Sequence, residues 1–122
     1  MTAQGLNEEA RLLLQRAQGS YPGVWPRAVA LLARQALELA VHEALRRRAP
    51  GAERASIRAR MLCLPSYVST ATAHDAYFLW GTLSRACHQH PYELAPTAQE
   101  LEDWLSGVEV VTERIAPVTP NA

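Results

Sequence analysis

Residues 84–92 read Ser-Arg-Ala-Cys-His-Gln-His-Pro-Tyr. One arginine, two histidines and a tyrosine crowd nine positions, and three of the four histidines lie between His74 and His90. Imidazole gives and takes protons near neutral pH. A guanidinium fork grips phosphate oxygens and stabilises the charge spread over a pentavalent phosphorus. Together these groups suffice, in principle, to cleave RNA without a metal. The ribose 2′-hydroxyl attacks its own phosphodiester, one histidine takes the proton, and a second acid protonates the leaving oxygen. Arg85 steadies the phosphorane, and His88 and His90 are the candidate acid and base.

The elements that carry these residues must bring them together. Arg85 and His90 are five apart, which on an ideal helix is about 140° of rotation and about 7.5 Å of rise. On an unbroken helix they point apart. Pro91 disfavours helical geometry at His90, so a helix from about Thr72 towards His88 should end there and let His90 fold back. His88, three residues after Arg85, already shares its face.

Helical periodicity runs through most of the chain. The spacing predicts a first helix over about 7–18 with Asn7 as N-cap. A long second helix, Trp25 to Arg48, carries a stripe of Val29, Leu32, Ala33, Ala36, Leu37, Ala40, Ala44 and Leu45, opposite a polar face of Arg27, Arg34, Gln35, Glu38, His42 and Arg46. A short helix is expected over about 53–62, then the helix carrying Arg85. Thr97-Ala98-Gln99-Glu100 reads as a capping box opening a last helix to about Ile115. Pro117 and Pro120 mark a frayed tail over 117–122. The six glycines are expected mostly in turns, and Trp25, Trp80 and Trp104 in or beside the core. Period-two alternation of β-branched residues is lacking. These elements imply one all-α domain over residues 1–122, a four- to five-helix up-down bundle with its core over about 25–115.

The charge is unevenly placed. Net charge is zero, from twelve arginines, no lysine, ten glutamates and two aspartates. Residues 1–60 hold ten arginines and five acids, while residues 61–122 hold two arginines and seven acids. A uniformly basic nucleic-acid binder is thereby disfavoured, and a local arginine surface allowed. Arg46, Arg47, Arg48, Arg54 and Arg58, with Arg60, form such a cluster, read either as an RNA-backbone patch or as a solvated helix end. Twenty-one alanines fit codon bias as the reason for the missing lysine. Without lysine there is no Schiff base and no lysine phosphate clamp. Cys63 and Cys87 form neither a disulfide framework nor a ligand set, which fits a reduced cytoplasmic chain. Cys87, on the apolar stripe, reads as core, and so does Cys63. No segment is apolar enough to span a bilayer, and the polar, acidic N-terminus is unlike a signal peptide. His74, His88 and His90 with an acid lack metal-ligand spacing, so no metal and no other cofactor is expected.

The pattern Arg85-x4-His90-x-Tyr92 resembles the signature of HEPN domains (higher eukaryotes and prokaryotes nucleotide-binding). The tyrosine two residues after the histidine is similar to the form found in HEPN toxins paired with a nucleotidyltransferase antitoxin. The alanine-rich stretch ARQALELAVHEAL looks like the long helix of that family, and the likeness covers about 25–115. It implies an all-α homodimer whose two motifs face one composite cleft. It further implies a metal-independent endoribonuclease of toxin–antitoxin or phage-defence type. Arg85 and His90 are then the catalytic pair, and Tyr92 contacts substrate or is adenylylated by the partner antitoxin. The second copy's His90, or His88, serves as the other acid or base. The chain departs from the family at Ala86, where a polar residue is common. That departure keeps open a non-catalytic HEPN module binding RNA or a nucleotide. A third reading is a structural helical dimer or adaptor, in which Arg85 is held by an acid of the last helix such as Glu102 or Glu109. His42 reads as a face residue beside Glu38.

Overall fold

A computed structural model describes residues 1–17, 25–88 and 94–116. Five α-helices carry the fold: α1 (Ala3–Ala17), α2 (Trp25–Arg48), α3 (Ile57–Cys63), α4 (Thr70–Cys87) and α5 (Ala98–Ile115). Short 3-10 turns at Ala52–Arg54 and Leu64–Ser66 flank α3. Among the described residues there is no strand. The protein is an all-α helical bundle, as the periodicity predicts.

Cross-helix contacts set the directions. Gln4 of α1 lies beside Thr112 and Glu113 of α5, and Arg11 reaches back to Glu102, so these two helices are antiparallel. Arg27 at the start of α2 meets Cys87 at the end of α4, and Glu38 meets Trp80. Asp75 of α4 pairs with Arg114 of α5. Adjacent helices therefore alternate in direction, and α2 and α5 run parallel across the diagonal. The α2 C-terminus confirms it, since Arg48 donates to the Ile115 carbonyl at 3.3 Å.

Helix α2 packs against α1, α4 and α5 and is the centre of the bundle. Its buried surface is accordingly wider than one stripe. Ala30 and Val41 join Val29, Ala33, Ala36, Leu37, Ala40, Ala44 and Leu45 in the core, while Leu32 is only half-buried. Buried alanines let several helices approach one axis closely. The supposed polar face of α2 is partly an interface too. Glu38 accepts from the Trp80 indole at 3.1 Å and stands 3.6 Å from Arg34. His42 faces Arg60, with its Nδ1 at 3.4 Å from that guanidinium, rather than Glu38.

Several boundaries differ from the sequence expectation, each for a local reason. Helix α1 starts four residues early, because the Thr2 hydroxyl accepts from Gly5 N–H at 2.9 Å and so caps it. Asn7 is not a cap but a buried side chain whose Nδ2 donates to the Leu105 carbonyl at 3.1 Å. The expected helix over 53–62 is a 3-10 turn and then α3, separated where Ser56 caps Ala59 N–H at 3.2 Å. Ser69 caps α4, which begins at Thr70. The capping box of α5 is present as predicted: Thr97 Oγ1 accepts from Glu100 N–H at 3.1 Å, and Glu100 Oε1 accepts from Thr97 N–H at 3.0 Å. Cys63 is exposed, against its core assignment, because α3 packs through Met61 and Leu64 instead. Gly5, Gly81 and Gly107 lie within helices rather than in turns, and Gly51 alone among the described glycines has positive φ. Gly107 has a packing role: a Cβ there would meet Leu79 Cδ1 at 3.1 Å. The three tryptophans are half-buried against the core.

Candidate functional site

Helix α4 delivers Arg85 to the end of the bundle where α2 and α5 begin. Ala76, Leu79, Leu83, Ala86 and Cys87 bury the inner face of α4, and this rotation turns Arg85 outwards. Its position in the last turn suits a cation, since the helix dipole is negative there. The chain then leaves α4 at His88, whose N–H donates to both the Ser84 and Arg85 carbonyls at 3.2 Å. His88 is exposed and non-helical at φ −106°, so the helix does end ahead of Pro91. His90 and Tyr92 lie outside the described residues.

A second arginine fixes this helix end. Arg27 of α2 donates through Nε and Nη2 to the Cys87 carbonyl, at 3.1 and 2.8 Å. A guanidinium fork on one orphan carbonyl is a charge-assisted C-cap supplied from a neighbouring helix. The sequence places Arg27 on the polar face of α2, where it stays exposed, but nothing in its spacing signals a partner sixty residues away.

Arg85 itself is exposed and lightly held. Its single polar contact among the described residues is to the Thr82 hydroxyl at 3.5 Å. The acids expected to neutralise it are engaged elsewhere, because Arg11 of α1 pairs with Glu102 and, at 3.4 Å, with Glu109. Arg85 instead lines an open groove of about 490 Å³ between α4 and the start of α5. Thr82, Ala86, Pro96, Glu100 and Trp104 complete its walls, with Leu94 at the rim. The groove offers the Arg85 guanidinium and the Thr82 hydroxyl, which can hold a phosphate oxygen, beside the Trp104 side chain and a Glu100 carboxylate that accepts from Thr97 N–H. Ala86 is buried against the core and adds no polar group.

Cys87, beside this end, is buried, as its place on the apolar stripe predicts. Burial pushes its thiol above the ordinary range, outweighing the lowering pull of Arg34 and Arg27, and Glu38 adds to the rise. Among the described residues no cluster of His, Cys, Asp or Glu could hold a metal ion. His74 is exposed and separate from His88.

The arginine cluster lies at the other end of the bundle. Arg85 sits near the level of residue 30 of α2, so Arg47 is roughly 25 Å away along that helix. The cluster is also less free than its sequence suggests. Arg46 pairs with Glu43 at 3.1 Å, and Arg48 caps the Ala44 and Ile115 carbonyls at 3.3 Å each. Arg60 donates to the Ala55 carbonyl at 2.9 Å. Arg47, Arg54 and Arg58 are exposed and make no ion pair among the described residues. Within one copy, the cluster and Arg85 do not form a continuous surface.

No helix of the described residues is long and apolar enough to cross a membrane. No protein-family model, no curated protein and no solved structure matches this chain.

Proposed function

We propose that this chain is a HEPN-type, metal-independent endoribonuclease of a toxin–antitoxin or phage-defence system, working in the cytoplasm as a homodimer. The observation that supports it most is Arg85: an exposed guanidinium without an acidic partner among the described residues, at the lip of an open groove, in the acidic half of the chain. An arginine kept only for structure would be expected to pair with Glu102 or Glu109, and Arg11 has taken both.

In the reaction, Arg85 holds the scissile phosphate. His90 takes the proton of the ribose 2′-hydroxyl as its oxygen bonds to phosphorus. The bond from phosphorus to the 5′-oxygen breaks, and that oxygen receives a proton from His88 or from His90 of the second copy. The products are a 2′,3′-cyclic phosphate and a free 5′-hydroxyl. Two copies meet across the α4–α5 face, where Phe78 (62% exposed) and Val110 (43% exposed) line a separate hollow about 10 Å along α4 from Arg85. A two-fold contact there whose axis runs along α4 buries both apolar side chains and brings the two Arg85 to the same end of the dimer. The Tyr92 hydroxyl is then the atom a nucleotidyltransferase antitoxin would adenylylate. The Arg47, Arg54 and Arg58 surface would hold RNA backbone entering from outside the cleft.

The test is cleavage of RNA by purified protein in EDTA. Wild type should cut, and Arg85→Ala and His90→Ala should each lose about a hundredfold or more. Arg85→Ala should melt as wild type does, because the side chain is exposed with one long contact. Equal cleavage by both variants overturns the reading. Ala86, buried and apolar after Arg85, favours a second reading, a non-catalytic HEPN module binding RNA or a nucleotide. Salt-sensitive RNA binding without cleavage would select it.

A further inference from the structure

We propose that a hollow formed where α2 and α5 end binds a phosphomonoester dianion. The hollow has a volume of about 500 Å³ and is lined by Arg48, Arg114, Tyr67, Ser69 and Thr72, and no acid lines it. It lies roughly 20 Å along α4 from Arg85, at the other end of the bundle, so the proposal does not depend on the ribonuclease reading.

Two like charges are brought to this one place from different helices. Arg48 Nη1 donates to the Ala44 carbonyl of α2 and to the Ile115 carbonyl of α5, at 3.3 Å each. Those bonds carry its guanidinium across to the residue next to Arg114. They occupy Nη1 alone, and Nη2 and Nε have no partner among the described residues. Arg114 comes only to 3.8 Å from Asp75, beyond hydrogen-bond length, and both side chains are more than half exposed. An exposed pair of that kind is weak and does not fix Arg114. Two guanidinium groups at one hollow without a lining acid repel each other. An anion shared between them replaces the repulsion by charge-assisted hydrogen bonds.

The pair also sets the charge of the ligand. A phosphomonoester carries about −1.5 to −2 at neutral pH and offers three strong acceptor oxygens. A backbone diester carries one charge and leaves half of the pair uncompensated. Arg48 Nη2 donates to one oxygen, Arg114 to a second and the Tyr67 hydroxyl to the third. The esterified oxygen points out through the open mouth of the hollow.

The experiment is a titration of the full chain with methyl phosphate in a phosphate-free buffer, followed by nitrogen–proton NMR. Shifts should saturate and centre on the amides of Ser69 to Thr72 and the Nε–H groups of Arg48 and Arg114. Dimethyl phosphate, with a single charge, should bind about tenfold more weakly, and sodium chloride at equal ionic strength should not reproduce the pattern. Arg114→Gln, a surface change, should weaken binding about tenfold with the melting temperature little altered. Asp75→Asn releases Arg114 and should tighten binding about twofold. Arg16→Gln on α1, away from the hollow, should bind as wild type does. A nucleoside 5′-monophosphate and a 5′-phosphorylated oligoribonucleotide show the source: the one that displaces methyl phosphate at lower concentration marks a free nucleotide or an RNA end. The proposal is overturned if dimethyl phosphate matches methyl phosphate, or if a 5′-hydroxyl oligoribonucleotide competes as well as its phosphorylated form. It also fails if Arg16→Gln weakens binding as much as Arg114→Gln does.

Discussion

Replacing Arg27 by methionine isolates what positions the end of α4. Methionine keeps a long apolar stem over the neighbouring side chains and removes only the fork on the Cys87 carbonyl. Two charge-assisted bonds end on one partly buried oxygen, so the loss lies at the low end of the range for such bonds, because water can replace part of it. The expected cost is about 1.5 kcal/mol, or roughly 5 °C in Tm for a domain of this size. Urea unfolding should show a lower midpoint with an unchanged slope. Hydrogen exchange should rise at the amides of Leu83 to His88, while α1 and α5 keep their protection. Arg27→Lys should recover about half, as a point charge that cannot present a planar fork. RNA cleavage, where present, should fall in Arg27→Met because Arg85 and His88 sit on the loosened turn. A change in stability below about 0.3 kcal/mol, or exchange that rises evenly over the protein, would show that the fork does not hold this helix end.

Four further outcomes follow from packing and burial. Gly81→Ala should stabilise by about 0.8 kcal/mol, since a Cβ there meets nothing within 4 Å and helix propensity acts alone; matched urea curves read it. Gly107→Ala should gain close to nothing, because its Cβ presses on Leu79 at 3.1 Å, and an equal gain at both sites would refute the close α4–α5 approach. A thiol reagent should modify exposed Cys63 quickly in the folded protein and buried Cys87 only on unfolding. The raised Cys87 pKa means that the folded state holds the thiol proton more tightly than the unfolded chain does. Its contribution is therefore complete below the ordinary thiol range and is lost as pH rises through the elevated value, so Cys87→Ala should flatten the alkaline fall in stability.

Much of the bundle was legible because its signals are local. The Thr97–Glu100 capping box, Trp25 as the start of α2 and the end of α4 ahead of Pro91 each depend on a few adjacent residues. Asn7 shows where that reasoning stops. It has the type and setting of an N-cap, yet Leu105 on another helix competes for its amide, and Thr2 caps instead. His42 and Glu38 have a one-turn spacing, but Arg60 and Trp80 are their actual partners. Local propensity is overridden wherever a side chain faces another helix.

The sequence by itself determined the fold class and most helix ends, because helix period and capping are properties of neighbours along the chain. Only the tertiary structure decided which charges are free. Residue counts or charge totals could not show that Arg11 takes Glu102 and Glu109 and leaves Arg85 without an acidic partner among the described residues, or that Arg27 is spent on a helix end. Nor could they show that the arginine cluster and Arg85 occupy opposite ends of the bundle. Those outcomes depend on which faces of α1, α2, α4 and α5 meet, and packing of the whole core sets that choice.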